Sequence, residues 1–169
     1  PLPEPGLQPL SEAELEKVVG GAKDPSWRQT KIQQQIIHNR FPNESQVGKE
    51  FSYTIKDGKL LIRDRIEEVD FIVDMEGNLR IGRGHSFLAN GKDVQAAGKI
   101  KINHQGYVRY IKNFSGHYTP TVGQGEIFPS ILDKLGIRTE NAWLELGEYD
   151  LTTSGYVDSV KAVYSKKLK

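Results

Sequence analysis

Between Phe51 and Lys112 the chain repeats one pattern three times: an apolar-rich run, a glycine-bearing turn, and a second run of similar length. Asp57-Gly58 separates Phe51–Lys56 from Lys59–Arg65, and an Asp-Gly pair favours the positive-φ backbone of a tight hairpin. Glu76-Gly77-Asn78 separates Val69–Asp74 from Leu79–Gly82, and His104-Gln105-Gly106 separates Lys99–Asn103 from Tyr107–Lys112. Residues alternate in Lys99-Ile100-Lys101-Ile102 and in Tyr107-Val108-Arg109-Tyr110-Ile111, as a sheet with one wet face requires. Consecutive hairpins restrict this region to an antiparallel sheet. Two last strands are predicted near Ala142–Leu151 and Tyr156–Tyr164, joined at Ser154-Gly155, with a frayed tail over 166–169.

Helical signals lie to either side. Ser11 and Glu14 form a capping-box pattern ahead of Leu15, Val18 and Val19, and Gly20-Gly21 stops that helix. Asp24-Pro25 reads as the start of a second helix, with Trp27, Ile32, Ile36 and Ile37 on its buried side and Phe41-Pro42-Asn43 at its end. A third helix is predicted over Gly125–Leu135, with Gly136 closing it. The expected class is therefore α+β, with N-terminal helices packed on a mostly antiparallel twisted sheet.

Residues 1–10 hold four prolines, a density that favours an extended linker, so something is expected upstream in a longer parent protein. Residues 11–169 are expected to form one domain, helical over 11–45 and sheet-rich over 46–169. No apolar run approaches the roughly 18 residues of a membrane span, and the start resembles no secretory signal. The chain has no cysteine, which excludes disulfides and thiolate chemistry. That absence suits a reducing cytosol, or a domain that must unfold to cross a membrane.

Net charge is only +1, yet the stretch from Arg80 to Lys112 carries seven basic residues against Asp93 alone. Two histidine segments fall in or beside this stretch. Gly84-His85-Ser86 follows a predicted strand, and Ser115-Gly116-His117-Tyr118-Thr119-Pro120 follows another. Folded back by a hairpin, both imidazoles can reach one cleft. Two imidazoles with a cation and hydroxyls suffice for metal-free acid/base chemistry on a phosphodiester. His85 and His117 are thus the candidate base and acid, with Tyr118 and Thr119 to orient the substrate or hold a phosphate oxygen. Arg83, Ser86, Lys99, Lys101 and Ser115 are candidate substrate contacts, the lysines stabilising transition-state charge. His104 is expected in a surface turn and His38 in a structural helical position. No metal-binding, nucleophile-elbow or dinucleotide-binding motif is present, and no cofactor is expected.

The string from Leu79 to Pro120 reads Leu-Arg-Ile-Gly-Arg-Gly-His-Ser-Phe-Leu-Ala-Asn-Gly, then Val-Gln-Ala-Ala-Gly-Lys-Ile, then Ser-Gly-His-Tyr-Thr-Pro. It resembles the C-terminal toxin domains of bacterial polymorphic toxins of the Rhs or contact-dependent inhibition type. The plant IQ-motif calmodulin-binding family carries a similar His-Ser…Ala-Ala-Gly…Ser-Gly-His-Tyr pattern, although no IQ motif is present here. Together these matches cover about 40 of the 169 residues. The toxin resemblance implies a metal-independent ribonuclease with a barnase/EndoU/colicin/RelE-like layout, cleaving RNA, including tRNA, by transesterification. It also implies a cognate immunity protein, otherwise a monomer, and delivery from a bacterial cell as part of a larger protein into a target-cell cytoplasm. Two other functions stay open. One is an ADP-ribosyltransferase using His85 on a first strand, a later tyrosine, and a late glutamate such as Glu145 or Glu148. The other is a non-enzymatic binding module in which both histidine segments are structural turns.

Overall fold

A computed structural model describes residues 34–169, all within one compact unit. The expected helix over 11–19, and the part of the second helix before residue 34, lie outside the described residues. The described residues form nine strands and three short helices in chain order. They are β1 (Lys49–Phe51), β2 (Tyr53–Lys56), β3 (Lys59–Ile62), β4 (Glu68–Asp74), β5 (Leu79–Arg83) and α1 (His85–Leu88). Then come β6 (Val94–Ile102), β7 (Val108–Lys112), α2 (Val122–Gly125), α3 (Phe128–Lys134), β8 (Trp143–Leu151) and β9 (Val157–Lys167).

Seven strands form one sheet in the order β1-β5-β4-β6-β7-β8-β9, and β2-β3 form a separate hairpin. The Asp57-Gly58 turn has φ of 54° and 80°, the positive backbone that the dipeptide favours. All three expected hairpins are present, and β6 starts five residues earlier than its alternation indicates. Val94–Gly98 is buried throughout, so it shows no polar/apolar period to read. Every pairing is antiparallel except β7 with β8. The 30-residue link between these two holds α2 and α3, as a parallel crossover demands.

The expected α+β layout of helices on a sheet is corrected, and with it the barnase/EndoU/colicin/RelE-like arrangement. Of the described residues 43% are strand and 11% helix, and the sheet is mixed. The clearest departure is at 34–41, the expected end of the second helix, which runs extended. Ile37 exchanges both backbone hydrogen bonds with Val94, at 2.7 and 3.0 Å, and buries its side chain. Gln34 N–H donates to the Gln95 side chain, and the Gln35 amide donates to the carbonyls of Gln95 and Gln124. Pairing with a distant strand overrides the local helical pattern. The tail is not frayed either: Lys166 and Lys167 belong to β9, and Leu168 is bonded to Asn141 and Ala142.

Much of the core lies on one side of the sheet, where Phe71, Ile81, Ile100, Ile111, Leu144 and Leu146 meet α3 through Phe128, Ile131 and Leu132. Phe71 and Phe128 pack edge to face, centroids 5.8 Å apart. On the other side α1 packs against β4 and β5.

At Gly98 the backbone of β6 runs close against that of β7. A Cβ there would lie 1.8 Å from the Lys112 carbonyl oxygen, and backbone cannot yield as a side chain does. Gly98→Ala is expected to cost about 3 kcal/mol, as overpacking does. A marked fall in thermal midpoint by circular dichroism checks this; an unchanged midpoint would contradict the close approach.

Candidate functional site

The β5–α1 turn is built around a carboxylate. Asp70, 8% exposed in β4, accepts the Gly84 N–H at 2.9 Å and the Lys99 ammonium at 2.7 Å. Gly84 takes φ +92°, which lets the chain leave β5 and enter α1 at once. His85 is then buried against β6, with Nε2 2.7 Å from the Gly98 carbonyl. Burial holds the His85 pKa below its usual value despite the opposing pull of Asp70 and Gly98, and Lys99 and His117 lower it further. Burial would raise the Asp70 carboxyl, but His85, Lys99 and the Gly84 N–H outweigh it and leave it depressed.

His117 approaches from the β7–α2 loop. Its carbonyl accepts the Arg40 N–H at 2.7 Å, which ties the loop to the extended N-terminal segment. Its Nε2 lies 3.9 Å from Glu44 Oε1, and the other Glu44 oxygen accepts a short bond from the Tyr156 hydroxyl. Burial depresses the His117 pKa; Glu44 raises it and Arg40 lowers it. Phe41 stacks on Tyr156 at 4.6 Å and meets His117 edge-on at 5.7 Å. Arg40 Nη1 and His117 Nδ1 are buried atoms with no hydrogen-bond partner among the described residues.

His85 and His117 line the same cavity, about 280 Å³, with Phe41, Gln46, Gly116, Tyr156 and Val157. Gln46 is shared with a neighbouring cleft, which Glu44, Ser86 and Phe87 also line. A larger cavity, about 540 Å³, lies between β3 and the β6–β7 turn; of the residues considered from sequence only His104 lines it.

The remaining candidates mostly hold the fold. Ser86 accepts from the Asn39 side chain, which also donates to the Gly91 carbonyl. Tyr118 is buried, and its hydroxyl donates to the Lys92 carbonyl at 2.5 Å; burial pushes its pKa far up. Ser115 accepts the Tyr118 N–H at 3.3 Å. Thr119 sits at φ +36°, its N–H donating to the Ser115 carbonyl. Lys99 is spent on Asp70, and Arg83 donates to the Glu68 carbonyl and covers the Phe51 ring. Lys101 stands exposed near the Tyr110 ring. None of these lines the histidine cavity.

His38 is exposed, not helical, and lies 3.0 Å from Asp93; His104 is exposed in the β6–β7 turn. Glu145 lies 3.7 Å from Lys112, Glu148 is exposed, and neither lines the cavity. Sequence reasoning missed Arg40, Phe41, Glu44, Gln46 and Tyr156, which lie far along the chain from both histidines and show no local motif. Asp70 was missed as well, although a signal for it exists: a lone carboxylate within Val69-Asp70-Phe71-Ile72-Val73. Among the described residues no three metal-ligating side chains gather, and no helix is long and apolar enough to cross a membrane.

No family model matches the chain, and no solved structure matches it. It is 31% identical over 106 residues to the IQ domain-containing protein IQM5 of Arabidopsis thaliana. The match takes in 54% of this chain and 21% of that protein, so the chain spans about a fifth of the relative's length.

Both imidazoles have depressed pKa values, so in acid the unfolded chain binds protons that the folded chain refuses. Stability is expected to be full above the unfolded histidine value of about 6.5 and to fall as pH drops through it. His85→Gln should flatten that decline in urea titrations between pH 7.5 and 5; an unaltered slope would contradict the buried neutral imidazole.

Proposed function

We propose that the cavity between His85 and His117 is the active site of a metal-independent ribonuclease. The observation that carries this reading is the Glu44–His117 pair at 3.9 Å beside an aromatic-walled cavity, with Arg40 close by. A carboxylate, an imidazole and a guanidinium make up the set that phosphodiester transesterification needs. Glu44 takes the ribose 2′-hydroxyl proton, protonated His117 gives a proton to the leaving 5′-oxygen, and Arg40 offsets charge on the phosphorane. His85 stays neutral and shapes the cavity wall beside them. The Phe41–Tyr156 stack offers a base an aromatic neighbour.

On the resemblance of the string from Leu79 to Pro120, the same proposal makes this a toxin domain. A larger bacterial carrier delivers it to a target-cell cytoplasm, and an acidic immunity protein restrains it. The ADP-ribosyltransferase reading has less support, because Glu145 and Glu148 stand away from the cavity. The non-enzymatic reading draws on the structural bonds of Ser86, Ser115 and Tyr118.

Purified protein with total RNA and excess chelator is expected to yield fragments ending in 2′,3′-cyclic phosphate. His117→Ala and Glu44→Gln should each slow cleavage about 100-fold or more while leaving the melt intact. Because the acid must be protonated and its pKa is depressed, kcat/KM should fall as pH rises from 5 toward 8. Intact RNA with well-folded protein would favour the binding module instead.

A further inference from the structure

Strand register draws four side chains into one line across the sheet. Lys101 of β6 pairs with Tyr110 of β7, Tyr110 with Trp143 of β8, and Trp143 with Lys167 of β9. Paired positions point to the same face. The next row, Ile100, Ile111 and Leu144, points the other way and is buried in the core. Trp143 is 37% exposed, Tyr110 is half-buried, and both lysines are exposed. Lys101 Nζ lies 5.8 Å from the Tyr110 ring centroid, and Lys112 Nζ lies 5.9 Å from it.

The same face carries Glu68, Asp70 and Glu145. They are matched internally: Asp70 holds Lys99 at 2.7 Å, and Lys112 sits 3.7 Å from both glutamates. Neither Lys101 nor Lys167 forms an ion pair among the described residues, and Glu68, opposite Lys101 in the register, lies 3.7 Å from Lys112 instead. The row therefore offers two aromatic side chains on adjacent strands, whose backbones lie about 5 Å apart, with an uncommitted cation at each end.

We propose that this row is a platform for single-stranded RNA, separate from the histidine cavity. Two bases stack on Tyr110 and Trp143, and flanking phosphates meet Lys101 and Lys167. The charge complementarity favours RNA over a protein partner, whose interface core would have to bury several charged groups. The platform deepens the ribonuclease reading, supplying substrate binding beside the site, since Lys99 of the adjacent row holds Asp70, which binds the Gly84 N–H next to His85.

The test uses a fluorescein-labelled 2′-O-methyl dodecauridine, which cannot be cleaved through a 2′-hydroxyl, and follows anisotropy. Tyr110→Ala and Trp143→Ala should each weaken binding roughly tenfold. Lys101→Gln with Lys167→Gln should lower the slope of log K against log salt by about 1.4. Lys134→Gln on α3 should change nothing. Thermal melts establish that each variant is folded, and Tyr110→Phe, which keeps the ring, should bind as the parent does.

No binding by the folded parent, or ring variants that bind as the parent does, would overturn the proposal. So would tighter binding of polyglutamate than of the oligonucleotide, which would assign the face to an acidic protein. Oligonucleotide bound on the platform while total RNA stays intact would sink the ribonuclease reading and leave the platform standing.

Discussion

The Asp70 carboxylate is the interaction on which the site depends. It sits in the middle of a strand buried on both faces, where an unpaired charge would be costly. Its partners come from two other places in the chain: the Gly84 N–H at the start of α1 and the Lys99 ammonium on β6. Satisfying one buried charge therefore fixes the exit of β5 and its neighbour β6 together. His85, one residue past that exit, inherits its buried position from the arrangement, and burial depresses its pKa against the pull of Asp70.

The resemblance string has a double character. Its hydroxyls and its tyrosine work chiefly as ties: Ser86 to Asn39, Tyr118 to Lys92, Ser115 within its own turn. Within the same span, Asn113 is fully buried and joins Pro120 to both backbone groups of Gly147. Tyr149 accepts the Ser115 N–H and donates to the Asn113 carbonyl. These bonds hold an irregular loop rigid beneath His117, and rigidity is what positions an imbalance of charge in a small cavity. A pattern rich in chemically able side chains can thus be mostly scaffold, with two imbedded groups exposed to the cavity.

The β8–β9 ribbon links the histidine cavity to the open sheet face. At its β7 end it contributes Trp143 and Lys167 to the open sheet face. Beyond Glu145, β8 pairs with β9 alone, and the ribbon reaches the cavity, where Tyr156 stacks on Phe41 and bonds Glu44. One hairpin thereby supplies an aromatic group to each place.

Local chemistry made the hairpins legible. Asp57-Gly58 sets its own backbone torsions, and alternation in Lys99–Ile102 reports which side of a strand is wet, so both could be read from neighbours in sequence. The Arg80–Lys112 excess of basic residues was equally visible, but its use was not: Asp70, Glu68 and Glu145 consume Lys99 and Lys112, whereas Lys101 stays uncommitted. Tertiary structure alone decided the extended path of 34–41, the parallel β7–β8 pairing, and the meeting of Arg40, Glu44 and Tyr156 with His117. Each depends on hydrogen bonds or packing between segments tens of residues apart. Such contacts leave no period in the sequence, because their free energy is gained only once the intervening chain has folded.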